Sequence, residues 1–340
     1  MTEQPNQDRR SFLKTMGASS ALAAAVPVLW SATSTSSDGA TVTANARGFV
    51  AGKYAIELDG VMAGWVESTD GGNAVADVVV EKLGAGAATA KKHLSNVKYE
   101  DISITCGTGM SKGFYQWIKA SMDGKATRKN GAIHTLNVQN QVNSMRNFYN
   151  ALISEIGFPA LDAASKDAAK MTIKFTPEYT RFKAGAGAAP KPSTVWPWLA
   201  SRFILEIDGL DCTRVNKIEA IVVKQAFVDN PVGAGRDYQK EPAHLEIPNL
   251  VVSLPEAAAG SFQSWFDDFV INGNNGDDVE KSGTLSWMTL DGKLVLGVLE
   301  FSHLGIFKLA PDPTQSDGIR RVKAEMYCER MAFDFSAASA

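Results

Sequence analysis

From Tyr54 onward most of the chain alternates apolar and polar positions with a period of two, and the pattern turns helical in two places. The first run, residues 54–58, predicts a strand closed by the Asp59-Gly60 turn. Residues 76–82 predict a second strand, which enters a Gly/Ala-rich loop over 83–90. In 97–106, Val97 and Tyr99 share one face while Ile102 and Ile104 share the other, so this strand is expected to carry a bulge. Phe114, Trp117, Ile118 and Met122 then recur at helical spacing. Further strands are expected over 132–139, 145–155 and 170–176, the last with Met171, Ile173 and Phe175 alternating against polar neighbours. One helix among many strands predicts a mainly β fold with few helices, a barrel or a sandwich.

The same order of segments then repeats. YAIELDG at 54–60 returns as FILEIDG at 203–209, HLSNVKYEDISIT at 93–105 as HLEIPNLVVSL at 244–254, and GFYQWI at 113–118 as GSFQSWF at 260–266. KMTIKF at 170–175 answers RVKAEMYC at 321–328, and all four spacings are close to 150 residues. Such regularity points to one domain duplicated in tandem. The expected organisation is an arm at 1–46, a first domain at 47–182, a Gly/Ala/Pro-rich linker at 183–201 and a second domain at 202–336. Trp196 and Trp198 stand in that linker, either anchoring it on a domain face or meeting a neighbouring subunit.

At 340 residues the chain is long enough for two cores, and its net charge of −3 gives no basic footprint for nucleic acid. Cys106, Cys212 and Cys328 lie far apart, fit no metal spacing and are expected to be small buried hydrophobes. The N-terminus adds a different signal. Asp8-Arg9-Arg10-Ser11-Phe12-Leu13-Lys14 fits the twin-arginine export pattern, followed by an Ala-rich run at 16–32 too short for a membrane span and a cleavage-like Ala44-Asn45-Ala46. This predicts export to the periplasm or beyond; the alternative is a disordered arm on a particle assembled in the cytoplasm.

One motif could carry catalysis. Gly109-Met110-Ser111-Lys112-Gly113 fits G-x-S-x-G between a strand and a helix, but the order of elements is not that of a hydrolase sheet. The repeat has no nucleophile at the matching junction, Glu256-Ala257-Ala258-Ala259-Gly260, and His134, His244 and His303 lie in strand-like segments. Ser111 is therefore expected to lead into a helix N-terminus. The acidic turn at 272–278 lacks the twelfth-position Glu of a calcium loop, and His93 and His244, at matching positions, lack second ligands. No catalytic, cofactor or metal site is predicted, and a contact-making protein is preferred over an exported ligand-binding protein or a serine hydrolase at Ser111.

Taken together, these segments resemble the tail tube proteins of contractile phages and phage-derived injection systems. The resemblance is carried by the turns Leu58-Asp59-Gly60-Val61 and Ile207-Asp208-Gly209-Leu210, the strand-and-loop stretches 77–92 and 217–243, and the Ile-rich strand running into an aromatic helix at 102–118, with a weaker counterpart at 250–266. It implies two tandem β-barrel or sandwich domains, each flanked by a short helix, in a non-enzymatic ring or tube. Two such domains per chain imply either three chains in a pseudo-sixfold ring or domains stacked along the axis, with sheath, baseplate or capping proteins as partners. The export signal departs from that family.

Overall fold

A computed structural model describes residues 53–82, 90–137, 139–185, 198–231, 237–313 and 318–335, so the twin-arginine segment, Trp196 and most of the 83–90 loop lie outside the described residues. The first half opens with strands β1 (Lys53–Leu58), β2 (Val61–Val66), β3 (Ser68–Gly71), β4 (Ala74–Lys82), β5 (Ala90–Tyr99) and β6 (Ile102–Cys106). Helix α1 (Lys112–Met122) follows, then β7 (Lys129–Leu136), β8 (Val142–Phe158), β9 (Leu161–Asp162), β10 (Met171–Thr176) and β11 (Tyr179–Ala184). The second half holds β12 (Phe203–Ile207), β13 (Lys217–Ile218), β14 (Ile221–Asn230), β15 (Gln239–Glu246) and β16 (Leu250–Pro255). It closes with α2 (Gly260–Phe266), β17 (Lys281–Met288), β18 (Val295–Pro311) and β19 (Arg321–Asp334). The fold is mainly β with few helices.

The halves are built in the same order. In the first, the sheet runs β1-β7-β8-β10-β6-β3, and in the second β12-β17-β18-β19-β16-β13. The single strand β19 takes the place of both β10 and β11, which pair successively along β8. Pro177 separates that pair, because it has no amide to donate to a ladder, whereas the second half has Cys328 at this place.

Residue-level irregularities match as well. Both β8 and β18 are 17 residues long, and each takes a left-handed conformation at its ninth residue: Asn150 at φ 50° and His303 at φ 56°. Gly131 faces Phe148 as Gly283 faces Phe301. A Cβ on Gly131 would come within 2.0 Å of the Glu57 carbonyl and 2.5 Å of the Phe148 ring, so only glycine fits there.

Each half buries its helix the same way. Phe114, Trp117 and Ile118 of α1 and Phe262 and Trp265 of α2 are buried against sheet residues. Ser111 caps α1, its hydroxyl accepting the Phe114 amide at 3.3 Å. Helix α2 has no side-chain cap and passes into a wider π turn at Asp267–Ile271.

Two expectations change. The strand predicted over 97–106 is two strands: β5 pairs with β4 in a separate ribbon, whereas β6 joins β3 and β10, with Glu100 and Asp101 at the crossing. The barrels are also corrected, because among the described residues neither large sheet closes on itself. Instead the halves exchange strands. β14 from the second half pairs with β8, giving a ten-stranded sheet, and β9 from the first half pairs with β13 in a seven-stranded sheet. The described residues accordingly form one compact unit with one connected hydrophobic core.

Candidate assembly surfaces

The residues singled out for chemistry are engaged in structure. Besides capping α1, Ser111 donates its amide to the Ala63 carbonyl at 2.6 Å. His134 is buried and its Nε2 lies 3.2 Å from the Glu57 carboxylate. His93 lies 3.8 Å from Glu81, and the His244 carbonyl accepts from the Gln225 amide at 3.0 Å. In the acidic turn at 272–278, the Asn274 side chain donates to Asp268 at 2.9 Å. All three cysteines are buried, and burial pushes the Cys106 thiol up to about 12 and those of Cys212 and Cys328 up to about 11. They are protonated at neutral pH and make poor nucleophiles.

The two strand kinks carry the clearest polar clusters. At Asn150, the buried Glu178 carboxylate accepts from the Asn150 side chain at 2.7 Å and lies 3.6 Å from the Arg128 guanidinium. At His303, Glu280 occupies the place of Arg128 and Glu329 that of Glu178, so two carboxylates replace a pair of opposite charges. Glu280 is satisfied by the Tyr327 hydroxyl at 2.6 Å and by His303 Nδ1 at 2.7 Å. Burial, then that hydrogen bond, push the Tyr327 hydroxyl up to about 12. The ligand atoms of Glu280, His303 and Glu329 lie within 4.8 Å of one another, a donor set that could accept a cation.

A third feature is the contact between the halves. Tyr115 of α1 stacks on Phe335 with ring centroids 3.8 Å apart, and Phe158 at the end of β8 packs on Trp287 at 5.2 Å and Phe333 at 5.4 Å. At the rim, Lys119 Nζ donates to Asp334 at 2.9 Å. Trp198 is buried against Trp287 at 5.1 Å, so this linker tryptophan anchors on its own chain. The first half thus covers the end of the second half's core face.

On the first half the same end of the same face is open. Sheet register places Phe182 where the second half has Phe333, Thr135 where it has Trp287, and Ala184 where it has Phe335. Phe333 is 2% exposed and Phe182 is 70% exposed. A cleft of about 350 Å³ lies here, lined by Tyr54, Ile133, Thr135, Ser144, Arg146 and Phe182 among others. The β4–β5 ribbon adds further exposed apolar side chains, Val78, Val80 and Leu94.

Residues 50–181 match the T4-like virus tail tube protein gp19 family. The matched stretch spans β1 to the middle of β11, most of the first half. Among solved structures, the chain is similar to the sheath/tube terminator of an extracellular contractile injection system in its extended state, at 18% identity over 42% of this chain and 100% of that one, TM-score 0.36. It is also similar to the tube-terminating cap of the anti-feeding prophage, at 17% identity over 44% of this chain and 95% of that one, TM-score 0.30. A third likeness is to the baseplate of the same particle, at 11% identity over 44% and 98%, TM-score 0.33. A comparison with curated proteins finds no match.

Sequence reasoning placed the helix aromatics and the Asp-Gly turns correctly, and it missed Phe182, Phe158 and the Lys119–Asp334 pair. The signal that could have found Phe182 was in the repeat: aligned on the sheet ladder it answers Phe333, and only the surroundings of the two rings differ.

Proposed function

We propose that this chain is a non-enzymatic structural protein that builds the rings or tube of a phage-tail-like injection assembly. The observation that carries this reading is that the tail-tube family match over 50–181 falls on a strand order that the second half repeats. In this reading 47–182 and 202–336 are two tube-like domains from a tandem duplication, joined through 183–201. Three chains then close a ring with six similar domains. Sheath, baseplate or capping proteins are its partners, and the segment Arg9-Arg10 exports the chain by the twin-arginine route.

Negative-stain microscopy of the purified chain tests the reading. Closed rings with six lobes are expected, and particles that remain monomeric under all conditions contradict it. Export is tested separately by replacing Arg9 and Arg10 with Lys and fractionating cells, where an unchanged distribution contradicts it.

A further inference from the structure

The contact inside the chain has two sides, and the repeat leaves a second, unmatched copy of each. On the first half, α1 and the end of β8 supply Tyr115, Lys119 and Phe158; on the second, β17 and β19 supply Trp287, Phe333 and Asp334. The second half's own version of the covering side is α2 with the end of β18. There Gln263, Asp267 and Pro311 stand where the first half has Tyr115, Lys119 and Phe158. The first half's own version of the covered side is the open face at Phe182, with Lys183 in the place of Asp334.

Both charges are inverted between the two versions. Inside the chain the helix brings Lys119 and the strand brings Asp334; in the unmatched copy the helix brings Asp267 and the strand brings Lys183. The two positions therefore carry opposite charges in both versions, with the ends exchanged. The exchange discriminates: α1 of another chain on the Phe182 face would set Lys119 against Lys183, and α2 on the Phe333 face would set Asp267 against Asp334.

Backbone edges agree with this. β14 fills the open side of the end of β8, yet among the described residues the corresponding end of β18 pairs only with β19, and β4, the counterpart of β14, pairs only with β5. An edge of each sign is thus left for strand addition between chains.

We infer that the Phe182 face binds the α2 and β18 end of a second copy of this chain, with Lys183 paired to Asp267. This rests on the ring reading above and deepens it by naming the surface and its polarity. Because like charges meet in the other two arrangements, domains alternate first-second-first-second around the assembly. The intermolecular version is more polar than the internal one, with Thr135, Ser144 and Arg146 in place of Trp287, Gly297 and Leu299, as befits a contact between chains that must stay soluble before assembly.

The test uses the full chain, with assembly followed by sedimentation velocity across a concentration series. Lys183→Glu and Asp267→Lys are each expected to weaken association by about tenfold or more, and the double variant to restore it. In addition, Ala184→Cys with Gln263→Cys, the counterparts of the stacked Phe335 and Tyr115, should cross-link neighbouring chains under oxidation. Assembly that both single variants leave intact, or that the double variant fails to restore, overturns this inference alone. A wild-type chain that never associates overturns the ring reading and this inference with it.

Discussion

Asn150 and His303 occupy the same step of two 17-residue strands, and both hold a left-handed backbone that β-branched side chains resist. Beyond that point each strand leaves β7 or β17 and continues beside β10 or the first part of β19. The kink lets one strand serve two stretches of sheet. His303→Val is expected to cost about 1–3 kcal/mol, and His303→Gly to cost less because it relieves the backbone while losing only the half-exposed bond to Glu280. Urea unfolding of the two variants checks the order.

Gly131 gives a steeper expectation. A methyl group there meets the Glu57 carbonyl and the Phe148 ring at distances no rotamer can relieve, so Gly131→Ala should destabilise by about 2 kcal/mol or more. Gly60, with open space around it and φ of +82°, should lose only about 1 kcal/mol on the same change. Thermal unfolding distinguishes a packing cost from a conformational one.

Phe333 and Phe182 separate stability from assembly. Phe333→Ala empties a buried site between the halves and is expected to cost about 3–5 kcal/mol of folding stability. Phe182→Ala removes an exposed ring and should change monomer stability by about 0.5 kcal/mol or less while weakening association. Unfolding and sedimentation measured on both variants should show opposite patterns.

Cys106 makes a pH prediction. Its folded-state value is raised by burial to about 12, above the ordinary 9.0 of a thiol in the unfolded chain. Below pH 9 the proton is held in both states and the stabilisation is complete. Above it the unfolded chain releases the proton first, so stability falls as pH rises from about 9 towards 12. Cys106→Val should flatten that fall, and in the native protein at pH 8 the thiol should resist alkylation until the chain unfolds. Prompt labelling of the folded protein contradicts the burial argument.

How much of this was legible in the chain follows from which contacts are local. Trp117 and Trp265, and the turns at Asp59-Gly60 and Asp208-Gly209, are set by neighbours a few residues away, and the repeat made them readable. The split of β5 from β6 was not readable, because the phase change at Glu100 and Asp101 fits a bulge as well as a change of partner. The exchange of β9 and β14 between halves was hidden for a similar reason: Ile221 and Phe158 form ladder partners across 63 residues of chain, and alternation says nothing about which strand lies alongside. Phe182 and Phe333 look alike in sequence, and only the covering by Tyr115 and Phe158 tells them apart.

The central claim is that chains join by repeating their internal contact, and native mass spectrometry of the purified protein tests it most directly. A closed species of three chains is expected, which dissociates when Lys183 or Asp267 alone is reversed in charge. A stable monomer at every concentration, or a symmetric dimer through the Phe182 face, would contradict it.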